Sequence, residues 1–201
     1  GIPYPDVNKT LQRKLNEGLL VLDYVGHGGT EALSDEKVIT HNDILGYKYE
    51  HLPLWITTTC DFCRFDDIQT SAGEDVFLNK KSGGIALFTT SRVSFTDINR
   101  IVNNDLISGL FVNEGYKNNS LGDIIKSMKR NTTDGRKLGF CLIGDPALRL
   151  SYPQYNVSIT SINEKPVGDS VVQFKAFEKV TISGYIQDAL GNTQDDFSGQ
   201  L

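Results

Sequence analysis

The sequence predicts an α/β domain, a parallel sheet flanked by helices, followed by a partial all-β module. Short apolar, β-branched runs alternate with segments of helical period, the pattern of a parallel sheet covered on both faces. Two of those runs end in Gly26-His27-Gly28-Gly29 and in Thr59-Cys60, and open parallel sheets place their chemistry at the carboxyl ends of strands. Beyond Pro153 the hydrophobic period shortens to two, as antiparallel strands require.

Leu11 and Leu15 lie at helical spacing within Asn8 to Glu17, and Gly18 stops that helix and releases the chain into a strand over Leu19 to Val25. A polar stretch rich in turn residues leads to a second strand, Leu52 to Thr59. Ala72, Val76 and Phe77 repeat at helical spacing through Ser71 to Lys81, Ser82-Gly83-Gly84 breaks that helix, and Ile85 to Thr90 reads as a third buried strand. Ile98, Ile101, Val102, Leu106 and Leu110 place a helix over Asp97 to Asn113, and Leu121, Ile124, Ile125 and Met128 place another over Leu121 to Arg130. Lys137 to Ile143 reads as continuing helix or loop, Gly144-Asp145-Pro146 as a turn, and Ala147 to Ser151 as a last strand leaving the layer. The first domain is expected to span 1–153.

In 154–201 the alternation runs through Val157, Ile159 and Ile162, then Val171 to Phe177, then Val180 to Ile186, with turns at Asp169 and Gly191-Asn192. An immunoglobulin-like sandwich needs about 100 residues and seven strands, so this module is expected to be incomplete. With no initiator Met and few elements before the module, the chain is expected to be a piece of a longer one, short at its N-terminal side as well.

At 201 residues and 39% hydrophobic content the chain can bury one sizeable core plus an appendage. A net charge of -5 leaves no surplus to neutralise phosphates, and no basic run is interleaved with aromatics, which argues against a nucleic-acid partner. No apolar stretch approaches the roughly 20 residues of a membrane-spanning helix, and Gly1-Ile-Pro-Tyr-Pro has no charged-then-apolar signal pattern. The three cysteines, Cys60, Cys63 and Cys141, make no disulfide framework. Cys60 and Cys63 form a Cys-x-x-Cys, but no second such pair and no closely spaced His pair completes a tetrahedral zinc site.

A thiol with a pKa near about 8.5 is mostly protonated at neutral pH, so a nucleophilic Cys wants an imidazole to take its proton and later hand it to the leaving amine. His27 and Cys60, one at each of two strand ends, are the natural pair. Gly28 and Gly29 lack a Cβ, which lets a substrate carbonyl approach backbone N–H groups able to stabilise an oxyanion, with the Cys60 N–H as second donor. Beside this stand blander readings, His27 as a loop residue and Cys60 as a small buried hydrophobe. Their joint position on one rim favours function. Cys63 is expected to point into the fold, His41 and His51 to be solvated, and Arg64, Asp66 and Asp67 to form an exposed charged turn.

Gly26-His27-Gly28-Gly29, Cys60 downstream of it, the helix-Gly-Gly-strand unit from Ser71 to Thr90, and Gly144-Asp145-Pro146-Ala147-Leu148-Arg149-Leu150 leading into a β module resemble the gingipain family of caspase-like cysteine peptidases. Thr59-Cys60-Asp61-Phe62 followed by Arg64-Phe65-Asp66-Asp67 is similar, more narrowly, to the PorU-type surface sortases of the type IX secretion system in Bacteroidetes. The resemblance covers nearly the whole chain. It implies a caspase-type α/β domain and an immunoglobulin-like module, with His27 as acid/base, Cys60 as nucleophile, and the Gly28 and Cys60 amides as oxyanion hole. It further implies cleavage of a C-terminal secretion signal from cargo proteins, transfer of the acyl group to an amine of lipopolysaccharide, other secretion components as partners, and a place at the bacterial outer-membrane surface or outside the cell. No cofactor is required for this chemistry. Structural calcium is compatible with the family, without assigned ligands.

In gingipains the carboxylate that orients the His comes from upstream, where only Asp6, Glu17 and Asp23 stand here. Asp23 is expected to face away or pair locally, so that carboxylate is expected outside the chain. Gly29, Asp61, Thr90 and Arg92 are the pocket candidates, and Arg92 facing the pocket would disfavour basic side chains. Two other functions compete: a non-catalytic surface or adhesion scaffold on a peptidase-like fold, and a Cys60/Cys63 redox centre. The second is disfavoured because thioredoxin-like motifs open a helix, whereas Phe65-Asp66-Asp67-Ile68-Gln69 reads as loop.

Overall fold

The computed structural model of the chain describes residues 4–112, 119–168, 173–188 and 190–197. Its contacts divide it into two compact units, Gly1–Ser151 and Tyr152–Leu201.

In the first unit α1 (Pro5–Glu17) opens on a Pro, whose missing N–H costs nothing in a first turn. It ends at Gly18, which adopts φ 96° and returns its N–H to the Lys14 and Leu15 carbonyls. Then comes β1 (Val21–Val25), after which the turn-rich stretch forms a hairpin of β2 (Ala32–Leu33) and β3 (Ile39–Thr40) and a short helix α2 (His41–Gly46), capped reciprocally by Thr40 and Asp43. Next are β4 (Leu54–Thr58), α3 (Ala72–Leu78) with a Ser71/Glu74 capping box, and β5 (Ala86–Thr90). α4 (Thr96–Ile107) runs on into a π-helical turn, Ser108–Val112. α5 (Leu121–Asn131), capped by Ser120 and Asp123, a 3-10 turn Gly135–Gly139 and β6 (Phe140–Ile143) complete the unit.

The main sheet has the order β1-β4-β5-β6, with β1, β4 and β5 parallel and β6 antiparallel to β5. Every residue of β4 and β5 is buried, because helices cover both faces. On one face Leu22, Trp55 and Leu87 pack with Leu15 of α1, Ile44 of α2 and Val76 of α3. On the other, Leu54, Ile56 and Phe88 pack with Ile98, Val102 and Leu106 of α4 and Leu121, Ile124 and Met128 of α5.

Three expectations are corrected here. The strand at the end of the unit is Phe140–Ile143, where the sequence reading had helix or loop. Phe140 is fully buried and stacks on Phe88 at 5.9 Å, and that packing holds the segment at the sheet edge. Ala147 to Ser151 is not a strand. The preceding turn instead caps α5, whose Leu121 and Gly122 N–H groups donate to the Leu148 and Pro146 carbonyls at 2.8 and 2.9 Å, satisfying orphan donors of its first turn. His41 is not a free loop residue either. The helix it opens, α2, packs against α3, and His41 Nδ1 lies 2.6 Å from Asp75 Oδ2. His51 is exposed, as expected.

The second unit is a three-stranded antiparallel sheet of β7 (Tyr155–Ile162), β8 (Lys165–Pro166) and β9 (Ile182–Asp188), in the order β8-β7-β9, with a register shift between Ile159 and Ser161. Of the expected strand Val171 to Phe177, Val171 and Val172 lie outside the described residues. Gln173 to Phe177 form no strand, and Phe177 sits at φ 65°.

Candidate active site

β1 and β4 end level, Val25 opposite Thr58, so Gly26-His27 and Thr59-Cys60 leave the sheet side by side. Val25, Gly26, His27 and Cys60 line a cleft of about 390 Å³ with Ser94, Phe95, Thr96 and Asn99 from the loop after β5 and the start of α4. That volume lies within the roughly 300–1,000 Å³ of ligand pockets.

Cys60 is presented by a sharp reversal. Asp61 adopts φ 49°, a left-handed conformation that Asp tolerates better than most residues. The reversal is held by the Asp61 N–H donating to the Arg92 carbonyl at 3.1 Å and the Cys63 N–H donating to the Thr90 carbonyl at 3.0 Å. Cys63 consequently points into the core against Gly73, and burial pushes its thiol up to about 12. Burial pushes the Cys141 thiol up as well. The Cys60 thiol is partly exposed. It donates to the Ser94 carbonyl at 3.2 Å and accepts from the Ser94 N–H at 3.4 Å.

His27 is anchored through its backbone, its carbonyl accepting from the Tyr24 hydroxyl at 2.6 Å and the Ser34 N–H at 2.7 Å. Its exposed imidazole makes no hydrogen bond among the described residues, with Cys60 or otherwise, and is free to meet a substrate in the cleft. The Ser34–Glu36 turn beside it supplies a carboxylate that lies after His27 in the chain. Glu36 is held below the ordinary Glu value first by the Ser34 hydroxyl, and more weakly by the charge of His27. Of the upstream carboxylates, Glu17 pairs with Arg13 and Lys14, and Asp23 accepts from Asn103 Nδ2 of α4 at 2.6 Å.

Gly28 pairs with Leu33 in an antiparallel bridge whose bonds are Gly29 N–H to Ala32 O and Ser34 N–H to His27 O. The Gly28 N–H is thereby left out of the ladder. Among the described residues neither it nor the Cys60 N–H has a backbone acceptor, whereas the Gly29 N–H is spent. Gly28 itself is not among the residues that line the cleft.

Gly29, Asp61, Thr90 and Arg92 are not among the cleft-lining residues. Thr90 is buried and its hydroxyl donates to the Thr59 carbonyl. Arg92 forks onto Asp66 at 2.6 and 2.9 Å, which draws the guanidinium away. Sequence reading missed Phe95, Thr96 and Asn99. The available signal was Asn99 and Asn103, four apart and flanked by Ile98 and Val102: both are buried, polar positions on a face that the periodicity assigns to the core.

α4 partly shields the Asp23 carboxyl from water, although the residue as a whole is exposed, and this raises its pKa above the ordinary Asp value, the Asn103 hydrogen bond opposing. A carboxyl with a raised folded pKa keeps its proton longer in the folded chain. Stability therefore falls as pH rises from the ordinary Asp value through the folded one, and stays lower above it. Asp23→Asn keeps an oxygen for Asn103 and has no charge to desolvate. It is expected to be more stable than the parent at pH 7, by on the order of a few tenths of a kcal/mol given solvent screening, and to show no gain below about pH 3. Urea midpoints across pH check this, and a variant less stable at pH 7 would contradict it.

Among the described residues no three His, Cys, Asp or Glu side chains converge to hold a metal ion, and no helix is long and apolar enough to cross a membrane. The family model described as peptidase family C25 matches residues 1–151. No curated protein sequence matches the chain. Similar solved structures include the Arg-specific cysteine proteinase gingipain R, at 14% identity and a TM-score of 0.64 over 79% of this chain and 39% of that one. A complex of Porphyromonas gingivalis RgpB pro- and mature domains matches at 16% identity and 0.60, over 79% of this chain and 40% of that one. A structure described only as a protease matches at 16% identity and 0.60, over 89% and 48%. The chain spans less than half of each of these proteins, and at such identities the likeness is one of fold.

Proposed function

Because the chain belongs to peptidase family C25, we propose that it carries the catalytic centre of a cysteine endopeptidase, with Cys60 as nucleophile, His27 as acid/base, and the Gly28 and Cys60 N–H groups as oxyanion hole. The observation that carries this is the shared cleft: a partly exposed thiol and an unengaged imidazole on adjacent parallel strand ends. The Cys60 thiol turns from the Ser94 carbonyl and gives its proton to His27, and the sulfur attacks the scissile carbonyl carbon. Negative charge gathers on the carbonyl oxygen, where the two amides receive it. The intermediate collapses by breaking the C–N bond, His27 protonates the leaving amine, and a thioester remains on Cys60. Water or an amine, deprotonated by His27, then attacks the thioester and returns the thiol.

The finer reading is a PorU-type sortase at the bacterial surface, which removes the C-terminal secretion signal of cargo proteins and passes the acyl group to an amine of lipopolysaccharide. Its support is the run Thr59-Cys60-Asp61-Phe62, where Asp61 makes the turn that exposes the thiol. Residues 154–201 would belong to an immunoglobulin-like module.

A peptidyl acyloxymethyl ketone tests the catalytic reading, since attack by an activated thiol on its methylene displaces the carboxylate and leaves a thioether. Peptide mass spectrometry at pH 7 is expected to find Cys60 modified while Cys63 and Cys141, held as buried thiols, are untouched until the chain is unfolded. Equal reaction at all three, or at none, would point to a non-catalytic scaffold instead.

A further inference from the structure

Beyond the nucleophile and base, the cleft is walled by Val25 and Phe95 and by three uncharged polar residues, Ser94, Thr96 and Asn99. None of its lining residues is Asp, Glu, Lys or Arg. An Arg or Lys side chain entering it would give up hydration with no carboxylate in return, and a carboxylate would meet no fixed cation.

Asn99 is only 5% exposed although it lines the cleft. Its Oδ1 accepts from the Ser94 hydroxyl at 2.5 Å, and its own N–H bonds to the Phe95 carbonyl at 2.9 Å in the first turn of α4. Nδ2 is left with two N–H donors and no partner among the described residues. Nδ2 is not sealed from solvent, and a ligand that displaces solvent from it without supplying an acceptor leaves its N–H groups unpaired, so such a site discriminates against ligands that lack one. Ser94 is also the residue whose N–H and carbonyl hold Cys60 Sγ, so the unpaired amide stands one residue from the thiol's own support.

We infer that the cleft selects an uncharged side chain carrying an acceptor oxygen, such as Asn or Gln, next to the bond to be cleaved, and that Asn99 Nδ2 reads that oxygen. The inference rests on the peptidase reading above.

The test uses four peptidyl acyloxymethyl ketones that differ only in the residue adjoining the ketone, Asn, Gln, Leu or Arg, with the rate of Cys60 modification measured in the purified protein. Asn or Gln is expected to react roughly tenfold or more faster than Leu and Arg. In Asn99→Ala that advantage over Leu should fall to about twofold or less. Asn99→Asp replaces the donor by a carboxylate and should raise the Arg rate relative to Asn by about tenfold or more. Iodoacetamide, which has no side chain to select, reports whether Cys60 is still normally presented in each variant. The inference is overturned if Arg reacts fastest in the parent, or if the preferences are the same in both variants while iodoacetamide reacts normally. If no ketone modifies Cys60 while iodoacetamide does, the peptidase reading itself fails and takes this inference with it.

Discussion

Alanine at Cys60 is expected to abolish peptide-bond cleavage, and alanine at His27 to reduce it by about 10²- to 10⁴-fold, the usual weight of a general acid/base. The first loss is complete because the cleft holds no other thiol: Cys63 is buried in the core, and the Ser94 hydroxyl is committed to Asn99. The two side chains perform one proton transfer between them, so the double variant should be no slower than Cys60→Ala alone. Neither change should disturb the fold. His27 is exposed, Cys60 is partly exposed, and the bonds that anchor His27 go through its backbone carbonyl. Urea midpoints within about 0.5 kcal/mol of the parent are expected, as for surface substitutions. Cleavage that persists in Cys60→Ala would remove the nucleophile assignment, and an unchanged rate in His27→Ala would remove the base.

The pair was legible because parallel strands buried on both faces announce themselves as unbroken apolar runs, and a chain leaving two adjacent strands must leave them at the same rim. Trp55, Ile56, Leu87 and Phe88 carry that signal without ambiguity, being at most 1% exposed. Phe140 to Ile143 was harder, since a four-residue edge strand has no period of its own and is held by the Phe88–Phe140 stack and its pairing with β5. His41 misled for a related reason. Its partner Asp75 lies on another helix, and local polarity says nothing about a pairing made where α2 packs on α3. At the site, Asn99 was passed over because polar residues in a helix count against its buried face, although it lines the cleft.

Gly28→Ala is expected to lower turnover by about 10²- to 10³-fold, the loss associated with one oxyanion donor, while sparing the nucleophile. A methyl at position 28 would stand 2.5 Å from Thr59 Oγ1 and 3.1 Å from its Cγ2. Thr59 is fully buried, immediately before Cys60, so it cannot turn aside into solvent. The strain must then move the Gly28 backbone, and with it the N–H that the Leu33 bridge leaves free. Gly29→Ala supplies the control, since a methyl there meets nothing within 4 Å and the Gly29 N–H already belongs to Ala32. Its rate should stay within about threefold of the parent, a difference below about 0.7 kcal/mol. Alkylation of Cys60 by iodoacetamide builds no oxyanion, so it should run at the parental rate in both variants even as acyl transfer collapses in Gly28→Ala. If alkylation fell as far as turnover, the strain would have reached the thiol and position 28 would be a packing residue only. If turnover were untouched, the carbonyl oxygen would be held by donors other than the Gly28 N–H.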